Sequence, residues 1–140
     1  MERNNQLKLL AILFLGIILL NAVISLDAPS PIEIRGLESS VIVSDRAGFD
    51  LNNESLTFGA ILPGSSASRT VSFVNSFDYP VSVEVYGEGE MKTFIQLNSF
   101  EVEGFGKEDF SVIIIVPQDQ NYGKYSGNLI LEVFSSKKGI

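Results

Sequence analysis

From Leu9 to Leu20 the chain runs twelve residues without a polar side chain, and after Asn21 the apolar character resumes at Ala22, Val23, Ile24 and Leu26. A helix that is apolar on every side needs an apolar neighbour on every side, which a bilayer or the middle of a large protein supplies. A chain of 140 residues has no such interior to spare once this segment is set aside. Residues 1–26 are therefore read as a signal peptide or an N-terminal membrane anchor. Arg3 and Lys8 stand before the run and Asp27 and Glu33 after it. By the positive-inside rule this puts the N terminus in the cytoplasm and everything after residue 26 outside it.

Two fates stay open for the segment. Val23-Ile24-Ser25 forms an acceptable cleavage site before Leu26, as the end of a signal peptide requires. Leu7 to Leu26 is also long enough to cross a hydrocarbon core of about 30 Å, with Lys8 snorkelling to the interface.

The remainder has room for one domain of ordinary size. The chain holds no cysteine, no histidine and no tryptophan. Disulfides, thiolate chemistry, imidazole catalysis and the usual zinc ligands are thereby excluded, and the core alone must stabilise the domain. No cofactor is expected. Setting Arg3, Lys8 and Glu2 aside from 10 basic and 17 acidic residues leaves eight against sixteen, a net charge of −8. Such a surface repels nucleic acid and keeps a small domain soluble.

Asp27-Ala28-Pro29-Ser30-Pro31 stops any helix, and residues 27–37 read as a linker. Beyond it, apolar and polar residues alternate in short runs between clusters of Gly, Pro, Asn and Asp, the pattern of an all-β domain over residues 38–135 with a tail at 136–140. Val71 and Phe73 share one face; so do Val81, Val83 and Val85; Phe100 and Val102; Phe110, Val112, Ile114 and Val116; and Leu129, Leu131 and Val133. Leu56 with Phe58, and the segment Ser39 to Ser44, bring the strands to seven. The expected architecture is a single antiparallel β-sandwich of about seven strands, with no helix outside the membrane.

Several turn and core positions carry a resemblance: Leu56-Thr57-Phe58-Gly59, Pro63-Gly64-Ser65, Arg69 to Asn75, Gly106, Val116-Pro117 and Gly123-Lys124-Tyr125-Ser126-Gly127. Over residues 48–134 this set resembles the Ig-like domains of the major-sperm-protein and Hydin-type superfamily, and small exported Ig-like proteins of archaea. The resemblance implies an Ig-like sandwich acting as a binding or structural module. It also implies that the Tyr125 hydroxyl bonds back to the backbone, and that one more strand should follow the one at 129–134. Only Ser135 to Ile140 remain there, so the last sheet is expected to be one strand short.

Glu88 and Glu90 in a glycine-flanked loop, and Asp119 with Asn121, lack the dense oxygen array of a calcium loop and read as solvated turns; no metal site is assigned. Ser65 and Ser66 have no base to activate them, and no carboxylate pair faces a nucleophile, so no catalytic residue is assigned. Asn53-Glu54-Ser55 matches the N-glycosylation pattern, which has meaning outside the cytoplasm. Ile113, Ile115, Ile130 and Phe134 lie on faces where polar residues are expected. They mark either strands covered on both faces or an apolar interaction edge beside the short last sheet.

The leading functional expectation is an extracytoplasmic, non-enzymatic Ig-like binding or structural module at the cell surface. It would have a protein partner or self-associate, and would hold the membrane through residues 7–26 if these are retained. The alternative is a surface filament in which Ile32 to Ser44 of one subunit fills the open edge of the next. A third reading, a surface acid-dependent hydrolase, rests only on unassigned carboxylates.

Overall fold

A computed structural model describes residues 2–26, 29–48 and 55–136 of the chain, in two compact units, residues 1–30 and 31–140. The first unit is helix α1 (Glu2–Leu26). Its stretch Arg3–Val23 has a mean hydropathy of 2.2 and none of it is buried by protein. Twenty-one residues at 1.5 Å each extend about 31 Å, the thickness of a hydrocarbon core. Helix length and composition suit a signal sequence or a membrane span alike.

The second unit is mostly β, and all seven expected strands are present: β1 (Glu33–Val43), β2 (Leu56–Ile61), β3 (Ser66–Val74), β4 (Val81–Gly89), β5 (Asn98–Val102), β6 (Lys107–Ile115) and β7 (Gly123–Ser135). β1 starts at Glu33, so the last five residues of the expected linker belong to it. The strands form a five-stranded sheet in the order β2-β1-β7-β4-β5 and a two-stranded sheet, β3-β6. The expectation of purely antiparallel pairing is corrected at one place. β2 runs parallel to β1, Ser39 opposite Leu56 and Val43 opposite Ile61. The twelve-residue connection 44–55 is long enough to bring the chain back to the same end, as a parallel neighbour requires.

The larger correction concerns β7. It lies in the middle of its sheet, antiparallel to β1 from Glu33↔Val133 to Val43↔Gly123 on one side and to β4 from Val81↔Ser135 to Gly89↔Gly127 on the other. The sheet is not short of a strand beside Leu129 to Phe134, because β1 takes that place. Pairing on both sides satisfies the backbone of β7, while Ile130 and Phe134, alternating with Leu129, Leu131 and Val133, lie half-buried on its outer face beside β1 and β4.

Both sheets contribute to one core. Val41, Val81, Val83, Val85, Leu129 and Val133 of the large sheet and Phe73, Val112 and Ile114 of the small one are almost wholly buried. Phe100 of β5 ties the two together, edge-on to Phe73 with ring centres 6.2 Å apart and tilted against Phe110 at 4.7 Å. After β4 the chain makes a short 3-10 turn, Glu90–Thr93, which plugs Met91 into the core. No helix was expected there. Glycine permits it: a Cβ on Gly127 would stand 2.1 Å from the Glu88 carbonyl oxygen, and one on Gly87 2.5 Å from that of Met91. The Tyr125 hydroxyl donates to the Asn121 carbonyl at 2.8 Å, as expected of it.

Candidate functional site

The residues singled out from the sequence do not assemble into one surface. Ile113 and Ile115 point outward from β6 and are exposed, while Ile130 and Phe134 are half-buried on the outer face of the other sheet. Ile130 sits between Gly36 of β1 and Tyr86 of β4, its Cδ1 3.6 Å from where a Cβ on Gly36 would be. The expected interaction edge at β7 is therefore corrected: two of its four residues lie on a central strand, and the other two belong to a different sheet. Asn53 lies outside the described residues.

The Glu88 and Glu90 pair is also split by the fold. A Glu90 carboxylate oxygen accepts the Ser126 N–H at 2.9 Å, pinning the 3-10 turn to β7. Among the described residues no group of three or more Asp, Glu, His or Cys side chains could hold a metal ion. Three titrating groups are displaced, each by a neighbour on its own surface. Glu33 is held below the usual carboxylate range by its hydrogen bond from Arg35. Asp109 is lowered chiefly by the hydroxyl of Ser72. The Tyr86 phenol is raised by its hydrogen bond to Glu132.

One end of the domain is organised by a residue that the sequence marks only as the last of a strand motif. Asn75 is 1% exposed. Its amide nitrogen donates to the Tyr79 and Glu103 carbonyls at 2.9 Å and to that of Val102 at 3.3 Å, while its carbonyl accepts the Phe77 N–H at 3.0 Å. It stitches the β3–β4 loop to the end of β5. A lone Asn after an apolar strand reads as a turn residue; only the fold brings three carbonyls to it.

The flank where β2 and β1 of the large sheet face β3 of the small one carries two arginines. Both stand at positions whose parity points inward: Arg35 in phase with Leu37 and Val41 and opposite Leu131, Arg69 in phase with Val71 and Phe73. Arg35 grips Glu33 with both arms of its fork, Nε to Oε1 at 2.7 Å and Nη2 to Oε2 at 3.1 Å. Its guanidinium lies 4.6 Å from the Phe73 ring centre, and Nη1 reaches the Val74 carbonyl at 3.3 Å. Arg69 donates through Nε to the Thr57 carbonyl of β2 and through Nη1 to the Ser68 carbonyl of β3, both at 3.1 Å. A groove of about 290 Å³ opens between β2 and β3 beside it, walled by Phe58, Ala60, Ile61, Leu62 and Ala67. In the sequence neither arginine has an assigned role; a charge in phase with an apolar strand face was the available signal.

Comparison with protein-family models, with curated proteins and with solved structures finds no match to this chain.

Proposed function

We propose that this protein is an extracytoplasmic, non-enzymatic Ig-like module, a binding or structural unit delivered to the cell surface by its N-terminal segment. The observation that carries the proposal is the division of the chain. An unburied apolar helix of bilayer length precedes a β domain with a core of its own. The Ig-like reading draws on seven strands in two sheets around one core and on the Tyr125 hydroxyl bonded back to Asn121. The strand-donation filament loses its motive, since β1 occupies the edge that a neighbour's strand was to fill.

The test is a pair of reporter fusions, one at each terminus, combined with the intact mass of the protein recovered from cells. A C-terminal reporter active only outside the cytoplasm is expected. A mass beginning at Leu26 identifies a secreted domain and one retaining Met1 an anchored one. A C-terminal reporter active in the cytoplasm refutes the proposal.

A further inference from the structure

The small sheet has two strands against five in the large one, and among the described residues no strand pairs with the outer edge of β3. The direction of its backbone follows from the hydrogen bonds on either side of β6. Val116 N–H donates to Ser65 and Asn75 N–H to Gly106, so the odd residues of β3 face β6, while Ile115 N–H donates to Phe94 and Gln96 N–H to Ile113 on the far side of β6. The N–H and C=O groups of Ser66, Ser68, Thr70, Ser72 and Val74 consequently point away from the sheet. Their side chains are small and uncharged, and the strand holds no proline. Charged side chains, prolines and bulges are the usual defences of such an edge against pairing with another chain.

Two of these outward carbonyls are occupied, one near each end of the strand. Arg69 takes that of Ser68 and Arg35 that of Val74. Each arginine is also fastened elsewhere, Arg69 to the Thr57 carbonyl and Arg35 to Glu33 and the Phe73 face. An incoming strand would have to displace both guanidinium groups before bonding along β3, and hydrogen bonds from a charged donor are the stronger kind.

We propose that Arg35 and Arg69 are paired edge guards, which occupy the outward carbonyls of β3 and so prevent a second copy of this chain from adding its own β3 to that edge. The second copy is the occupant excluded because the edge suits it. Antiparallel pairing about Thr70 sets Ser68 against Ser72 and Thr70 against Thr70, with no like charges directly opposite. A two-fold pair of this kind makes one four-stranded sheet, β6-β3-β3-β6.

The chain has no cysteine, so Thr70→Cys in the protein as recovered from cells is a clean reporter of β3 meeting β3. Oxidation or a short bismaleimide, followed by a non-reducing gel, should give monomer with both arginines present. With Arg35→Gln and Arg69→Gln together, cross-linked dimer should rise roughly tenfold or more. Adding Ser68→Pro, whose N–H faces outward, should return it to monomer. Ser99→Cys on β5, at the other end of the large sheet, should cross-link no more in the guardless protein than in the original. The proposal is overturned if a guardless protein of native circular dichroism stays monomeric, or if Ser99→Cys cross-links as strongly as Thr70→Cys. It is overturned equally if the Gln pair and an Arg35→Lys, Arg69→Met pair both fail to fold, since the two residues would then be parts of the core rather than guards.

Discussion

β7 and β3 are both strands of nine residues or more, yet they live in opposite conditions. β7 has a partner along each side and buries Leu129, Leu131 and Val133. β3 has one partner, buries Phe73 fully and Val71 in part, and turns Ser66, Ser68, Thr70 and Ser72 to solvent. The difference shows where this domain keeps its stability and where it keeps its specificity. A change in β7 strikes hydrogen-bonded ladders and the core together. A change on the outer edge of β3 touches few packed atoms and alters instead what the edge admits.

Proline separates the two strands most sharply. Ile130→Pro removes a ladder bond from a strand with no free side and should cost about 3 kcal/mol or more, enough to abolish folding of a marginal domain. Thr70→Pro should cost well under half of that, because the Thr70 N–H is not part of the β3–β6 ladder. Urea unfolding of the two variants followed by circular dichroism measures the contrast, and equal losses would remove the distinction between the strands. Leu129→Ala, at a position with no solvent exposure, should lose about 2–5 kcal/mol in the same measurement.

Asn75→Ala tests the loop end of β3 rather than its edge. Three carbonyls lose a shared donor, and the expected loss is about 2 kcal/mol; Asn75→Asp should do no better, since a carboxylate has no N–H to offer them.

Smaller effects belong to the flank between the sheets. The folded-state pKa of Glu33 is depressed, first by the hydrogen bond from Arg35 and then by its charge. Its contribution is therefore complete above the unfolded value of about 4.5 and is lost as pH falls below that through the folded pKa. The group is a third exposed, so solvent screening keeps the effect under about 1 kcal/mol. Arg35→Gln should flatten that part of the acid limb of a stability–pH profile. Ser39 changes the sign: its hydroxyl is buried with no hydrogen-bond partner among the described residues, and Ser39→Ala should leave stability unchanged or raise it by up to about 1 kcal/mol.

Much of the architecture is written locally. The apolar helix follows from an unbroken run that nothing in a small soluble domain can cover. Seven strands follow from period-two alternation, because a strand exposes and buries every second side chain whatever its neighbours are. The Tyr125 hydrogen bond, four residues long, was legible only through the resemblance to Ig-like domains. What stayed illegible depends on pairing across long separations. Ile130 and Phe134 read either as an open edge or as a covered strand, and only the placement of β1 along β7 decided between them. Asn75 gathers carbonyls from residues 79, 102 and 103, which alternation cannot bring together. Arg35 and Arg69 broke the pattern of their own strands, yet Val74 and Thr57, whose carbonyls they reach, lie on strands brought beside theirs only in the folded chain. Sequence by itself determined the apolar N-terminal helix and the strand inventory, since both arise from neighbours along the chain. Tertiary structure alone decided which strand is central and which is guarded, since an edge is defined by the absence of a partner that could have come from anywhere in the sequence.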